Sequence, residues 1–485
     1  MKQCKIIVKD EVNVKIEGLE LSERKALMKM FEYEIPGARY LPAVRLGRWN
    51  GKVSYFSLAG STYINLLPEI LPYLDNAGYD IELDDLRDYT TTFTFDKVSE
   101  DTFKNKSWPK GHPKEGEPVV LRDYQIELVN NFLENPQSLQ EIATGAGKTL
   151  MTAALSNSVE KYGRSIVIVP NKSLVTQTEA DYINLGLDVG VYFGDRKEYN
   201  KTHTICTWQS LNNMLKKTKA GEAEVDIGDF IEGVVCVMVD EVHMAKADAL
   251  KTLLTGVFAK VPIRWGLTGT IPKAKFEAQS IYVSLGNVIG KLSASKLQDQ
   301  GVLARCHVNI MQLQDGKEFT NYQSELKHLL EDSERLDKIA SLISGINDTG
   351  NTLILVDRVN AGKEIVSRLP GSVFVSGATN MVERKEEYDE VATSSNKIIV
   401  ATYGVAAVGI NIPRIFNLVL LEPGKSFVRV IQSIGRGIRK AEDKDHVQIY
   451  DITSSCKFAK RHLTQRKAFY KEANYPFDVE KLTYR

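Results

Sequence analysis

Between residues 121 and 270 the chain repeats one pattern: a short run of consecutive apolar, mostly β-branched residues, a polar turn, then a longer stretch with helical spacing. The runs at 165–169, 204–207, 234–239 and 264–267 are apolar on successive rather than alternate positions, as strands buried on both faces must be. Strands that alternate with helices give a parallel sheet covered on each side. A second series at 352–356, 373–375, 397–401, 418–421 and 447–450 repeats the arrangement. The pattern predicts an α/β chain with two doubly wound parallel-sheet lobes, 121–285 and 286–455, joined somewhere between 272 and 300. No residue-level repeat links them, yet their similar lengths suggest a duplicated architecture.

The flanks read differently. Residues 1–92 offer a short pair of strands at 5–9 and 12–16, a further strand at 52–58 and a capped amphipathic helix at 22–31, which predicts a small α+β domain. The stretch 93–120 is rich in proline, glycine and lysine and reads as a linker. The end, 456–485, reads as a basic helical tail, because 457–471 carries six lysines and arginines and no acid on a helical pattern.

Composition changes the picture little. A chain of 485 residues, 43% hydrophobic and 26% charged, is ordinary for a globular protein of about three domains. No run is long enough for a membrane span and no signal-peptide core is visible, so a cytoplasmic location without a membrane partner is expected. The five cysteines are scattered through apolar runs and predict buried thiols rather than a metal cluster. Lys plus Arg and Asp plus Glu number 62 each, so a nucleic-acid partner has to be held by local patches.

Candidate chemistry begins at Ala143-Thr144-Gly145-Ala146-Gly147-Lys148-Thr149, where a polar loop passes into a helical run. The glycines let backbone N–H groups turn around a triphosphate, Lys148 reaches the β and γ oxygens, and the Thr149 hydroxyl suits Mg²⁺. Ile142 stands where the strict phosphate-loop pattern has its first glycine. After the apolar run 234–239 come Asp240 and Glu241, at the carboxyl end of a strand, where open α/β sheets bind ligands. Asp240 suits an Mg²⁺ ligand through water and Glu241 the base that orients an attacking water; paired acids there also serve as helix caps.

Eight segments then occur in the order of superfamily 2 helicase motifs: Leu121-Arg122-Asp123-Tyr124-Gln125, the phosphate loop, 169–174, 207–211, Asp240-Glu241-Val242-His243, Leu267-Thr268-Gly269-Thr270, 401–413 and 432–439. The chain resembles that family over roughly 120–455. The resemblance implies two RecA-like lobes with ATP clamped between them. It implies that Gln125 reads adenine beside Arg122, that Gly409 and Gln432 join the ATP-binding set, and that Arg436 and Arg439 reach the γ-phosphate from the second lobe. It gives His243, Thr268 and Thr270 a coupling role. It places Asn171, Lys172, Thr207, Gln209 and Ser210 on one side of a nucleic-acid channel and Arg358, Gly377, Thr402 and Gly404 on the other. Ile142 is no defect, since that family does not require glycine there.

Near the start, Arg39, Arg45 and Arg48 interleave with Tyr40 and Trp49, a pattern suited to phosphate contact and base stacking. A small amino-terminal domain with a Trp-Asn-Gly turn, followed by two motor lobes, is similar to the UvsW-type branched-DNA helicases of phages. The expectation is a monomeric ATP-dependent DNA helicase, using ATP and Mg²⁺, that unwinds forked or branched DNA and drives branch migration with 3′ to 5′ polarity. Recombination or replication proteins are expected partners. The alternatives are an RNA helicase, the translocating subunit of a restriction system, and a nucleotide-gated binding protein that does not move.

Overall fold

The structure, a computed structural model, describes residues 2–484 apart from 89, 113, 243–246, 378, 380–385, 388, 392, 406–413 and 425–445. It divides into two units, Met1–Ile142 with Gly147–Lys291, and Ala143–Ala146 with Leu292–Arg485.

The first unit is built on an eight-stranded sheet in the spatial order Arg196–Lys197, Val189–Phe193, His203–Thr207, Arg164–Val169, Val234–Asp240, Ile263–Thr268, Gln137–Ile142 and Asn287–Leu292. From Val189–Phe193 to Gln137–Ile142 every neighbouring pair is parallel. Ile166 and Ile168 of one strand and Val237 and Val239 of the next pack in one core with Leu250, Leu254, Phe258 and Leu285, so the predominantly apolar runs occupy the middle of the sheet.

The amino-terminal domain lies within this unit. Its sheet runs Ser61–Tyr63, Asn13–Glu17, Lys2–Val8, Tyr79–Asp85, with antiparallel pairs and one parallel pair, and its helices span Leu21–Met30 and Leu67–Asn76. Two local expectations change. The first helix starts after Glu20 without a side-chain cap. The strand expected at 52–58 stops at Ser54, because Tyr55 and Phe56 are both buried and an alternating strand cannot hide successive side chains on one face. This domain shares its core with Phe276 and Val283 of the helix Lys275–Leu285. The 93–120 segment packs on the same unit: the Val98 N–H donates to Asn130 Oδ1 at 2.8 Å, Phe103 and Val119 are buried, and Trp108 stacks on His112 at 4.1 Å.

The second unit carries a seven-stranded sheet in the order Val373–Val375, Ile398–Thr402, Thr352–Val356, Asn417–Leu421, His446–Ser454, Arg305–Leu313, Phe477–Leu482, with every pair parallel. The terminal segment is not helical throughout. Its helix Lys457–Glu472 is followed by the edge strand Phe477–Leu482, whose Phe-Asp-Val-Glu-Lys-Leu alternation is too short to stand out in the sequence.

Numbering six strands of each unit along the chain, from Gln137–Ile142 in the first and Arg305–Leu313 in the second, gives the same spatial order in both, 3-4-2-5-6-1. The duplication suggested by length is therefore a duplication of topology. All five cysteines are free and buried. Among the described residues no helix is long and apolar enough to cross a membrane.

Candidate active site

The phosphate loop connects the strand Gln137–Ile142 to the helix Lys148–Val159. Ile142 is fully buried, so this position is filled by a core side chain. Gly145 and Gly147 have φ of 90° and 82°, the left-handed region that L side chains rarely adopt. A Cβ on Gly147 would stand 2.5 Å from Gln125 Nε2, and one on Gly145 would stand 2.8 Å from Leu303 Cδ2. Within the second unit the Ala143 N–H donates to the Leu292 carbonyl at 2.9 Å. Thr144 and Ala146 are buried, and Thr149 lies in the first turn of the helix.

Gln125 is buried beside this loop. Its Oε1 accepts the Arg122 N–H at 2.9 Å, a capping box that fixes the start of the helix Asp123–Glu134 and aims the Gln125 amide at Gly147. Arg122 in turn donates to the Tyr124 hydroxyl at 3.2 Å.

The acidic pair ends the strand Val234–Asp240. Asp240 is 7% exposed, and its Oδ1 accepts the Glu241 N–H at 2.9 Å. Glu241 has φ 51°, a left-handed conformation costly for a residue with a side chain. Its carboxylate pairs with the Lys148 ammonium and also accepts the Gly269 N–H at 3.3 Å. Thr268 closes the neighbouring turn, its Oγ1 donating to the Thr270 carbonyl at 2.6 Å and accepting the Thr270 N–H at 3.2 Å. The Gly269 contact is one that sequence reasoning missed; the motif named the residue but not its amide's target. Five expected site residues, His243, Gly409, Gln432, Arg436 and Arg439, lie outside the described residues.

The residues assigned to nucleic acid fall into three groups. In the first unit, Asn171 and Thr207 follow adjacent parallel strands and start the helices Lys172–Asn184 and Trp208–Ala220. The Asn171 side chain accepts the Leu174 N–H at 2.9 Å, and Thr207 Oγ1 accepts the Ser210 N–H at 3.3 Å and pairs with the Ser210 hydroxyl at 2.9 Å. Gln209 and Lys172 stand beside these caps. In the second unit, Arg358, Gly377, Thr402 and Gly404 follow the ends of three adjacent strands, Thr352–Val356, Val373–Val375 and Ile398–Thr402. Arg358 donates to Gln323 Oε1 at 3.0 Å. In the amino-terminal domain Arg39, Arg45 and Arg48 are exposed and Tyr40 is 62% exposed, with the Arg39 guanidinium 4.8 Å from its ring. Trp49 is half-buried and donates to the Lys52 carbonyl at 3.0 Å.

The donor set suits a nucleotide and its cation. A glycine cradle that a Cβ would obstruct, a lysine, a hydroxyl and a buried carboxylate are hard oxygen and N–H groups. Among the described residues no group of three or more His, Cys, Asp or Glu side chains is placed to hold a metal ion.

Residues 118–273 match the family described as type III restriction enzyme, res subunit, and residues 334–441 match the helicase conserved C-terminal domain. The chain belongs to the superfamily 2 helicases and is an ATP-hydrolysing DNA helicase. It is similar to the ATP-dependent DNA helicase UvsW of Enterobacteria phage T4, 25% identical over 487 residues that cover 96% of this chain and 93% of UvsW. It is 22% identical to the DNA 3′-5′ helicase XPB of Kineococcus radiotolerans over 372 residues, 74% of this chain and 64% of that one. In fold it resembles the type ISP restriction-modification enzyme LlaBIII, with a TM-score of 0.56 and 16% identity over 87% of this chain and 36% of that one.

Proposed function

We propose that this helicase acts on forked or branched DNA and drives branch migration with 3′ to 5′ polarity. The observation that carries the catalytic part is the placement of Glu241 between the Lys148 ammonium and the Gly269 amide. An entering triphosphate competes for Lys148. Glu241 then keeps the Gly269 N–H, and its freed oxygen orients the attacking water. Gln125, already fixed by Arg122, presents its amide to the adenine edge, while N–H groups of 144–147 cradle the phosphates. Thr149 and Asp240 would hold Mg²⁺, which neutralises charge on the β and γ oxygens when bound. Arg436 and Arg439 complete the site at the γ-phosphate, a contribution of order 10³ or more in rate for arginines of this kind. His243, Thr268 and Thr270 carry the nucleotide state onward, with Gly409 and Gln432 in the ATP-binding set.

Asn171, Lys172, Thr207, Gln209 and Ser210 in one unit, with Arg358, Gly377, Thr402 and Gly404 in the other, contact the phosphodiester backbone through short hydroxyls, amides and cations, which suits a motor that reads no sequence. The branched substrate and the polarity are supported by the near full-length likeness to UvsW and by the name of the XPB relative. Arg39, Arg45, Arg48 and Trp49 supply an accessory DNA surface. We place the enzyme as a monomer working with recombination or replication proteins. The restriction-enzyme family match over 118–273 favours a second reading, a translocase on duplex DNA that does not separate strands.

Strand displacement on forked, four-way and plain-tailed DNA, with ATP, tests both. The expected result is displacement of forked and four-way substrates in preference to the tailed one, abolished in Lys148→Ala while its thermal melt stays cooperative. Translocation without displacement would favour the second reading, and native ATP turnover by Lys148→Ala would remove the site assignment.

A further inference from the structure

Tyr55 immediately follows the strand Lys52–Ser54, which Trp49 grips through the Lys52 carbonyl, so it stands one short step from the exposed Arg39, Tyr40, Arg45 and Arg48 surface. It is 2% exposed and lies where the amino-terminal domain meets the sheet's covering helices. Its hydroxyl donates to the Phe276 carbonyl at 2.9 Å and shares a 2.6 Å hydrogen bond with Ser280 Oγ, both on the helix Lys275–Leu285. The ring also lies 4.5 Å from the ammonium of Lys251, on the helix Ala247–Thr255; that ammonium lies 5.5 Å from the Tyr63 ring as well.

These two helices follow the two motifs that hold Glu241. Ala247–Thr255 comes after the Asp240-Glu241-Val242 segment, and Lys275–Leu285 comes after Thr268-Gly269-Thr270. Val242, Leu250, Leu254, Ile281 and Leu285 share one core, which joins both helices to the residue next to Glu241. Beside the contact a small open cleft, of about 50 Å³, is lined by Val242, Lys251, Pro272, Glu277 and Ser280 among others. Close-packed helices transmit strain, and free volume on one side gives this pair room to shift. Burial lowers the Lys251 pKa, and two tyrosine rings face its ammonium, a contact whose strength depends on their placement.

We infer that Tyr55 is a positioning residue through which DNA bound to the amino-terminal domain sets the spacing of these helices and so the contact of Glu241 with Gly269. The inference rests on the DNA-helicase reading and adds a route by which an accessory surface governs turnover. Tyr55→Phe removes the hydroxyl while keeping the buried ring, and Lys251→Met keeps the aliphatic stem without the charge.

The test is steady-state ATPase with and without forked DNA, together with fork binding and a thermal melt, for the natural protein and both variants. In each variant we expect the DNA-stimulated kcat to fall about tenfold, within the usual range for coupling between two sites, with basal kcat, the KM for ATP and fork affinity unchanged. Equal losses in basal and stimulated kcat, or full stimulation in both variants, would overturn the inference. If the natural protein itself shows no DNA-stimulated ATPase, the DNA-helicase reading fails, which is a separate result.

Discussion

Lys148 and Glu241 neutralise each other where their side chains are only 9% and 13% exposed. Such a pair adds little net stability, because desolvation offsets attraction, but removing one partner leaves the other uncompensated. Under the proposed function, an entering phosphate takes the place of Glu241 at Lys148 while the Gly269 N–H retains the carboxylate. A second acid shows the opposite case. Asp181, on the helix Lys172–Asn184, has its carboxyl pushed up to about 6 by burial. A raised acid favours folding in its protonated form, so that contribution is complete below the ordinary carboxylate pKa and is lost as pH rises through about 6. Asp181→Asn should therefore stabilise the protein at pH 7.5, by at most about 3 kcal/mol, and leave it unchanged at pH 4. Thermal melts at the two pH values check this; an equal effect at both would mean that the carboxylate is not the cause.

The helix Lys457–Glu472 shows how an element can look like a surface feature and belong to the core. Arg466 is 3% exposed and makes two hydrogen bonds of 2.8 Å to Asp451, on the strand His446–Ser454; its remaining N–H group donates to the Gly424 carbonyl at 2.6 Å. Tyr470 donates to Asp451 at 2.7 Å, and Glu325 accepts the first amides of the helix, from Phe458 at 2.9 Å and Ala459 at 2.6 Å. A charge count along the sequence cannot separate Arg466 from its exposed neighbours Lys457, Lys460, Arg461 and Lys471. Changing those four to glutamine, rather than deleting the helix, isolates their effect on DNA. We expect the slope of log K against log salt to shrink by about 0.9 for each phosphate that these side chains no longer neutralise. An unchanged slope would leave the helix as a brace alone. The same limit governs what was legible elsewhere. Central strands such as Arg164–Val169 were readable because both faces are apolar, whereas the short edge strand Phe477–Leu482 was not. Candidate site residues were named by motif, but the pairing of Lys148 with Glu241 could not be, since it depends on a sheet order that places strand 5 and strand 1 on either side of strand 6.

At the scale of the whole molecule, the shared strand order puts a glutamate at matching places, Glu241 after the fifth strand of the first unit and Glu422 after the fifth of the second, both with left-handed φ, 51° and 43°. Each pairs with a cation, Lys148 or Arg335. Arg335 is wholly buried and also donates to the Leu329 carbonyl at 2.8 Å, so the second pair is sealed in the fold while the first stands at the phosphate loop. One topology thus places a cation-paired glutamate beside the phosphate loop in one unit and inside the core of the other. The amino-terminal domain is likewise bound into the first unit. Phe276 and Val283 lie in its core, Asn65 and Tyr282 exchange hydrogen bonds of 2.9 and 2.5 Å, and the Glu11 N–H donates to the Ala259 carbonyl at 3.0 Å. Removing residues 1–92 would bare those apolar side chains at about 25 cal/mol per Å² and orphan buried polar groups. The shortened chain should accordingly be insoluble or melt well below the intact protein, and its fall in basal ATP turnover, without DNA, should track its fall in folded fraction. Arg48→Ala should melt like the natural protein and weaken in fork affinity alone. Soluble expression, melting temperature and ATPase of the two variants decide the matter. A stable, active 93–485 chain would show that the amino-terminal domain is an appendage rather than part of the first unit's core.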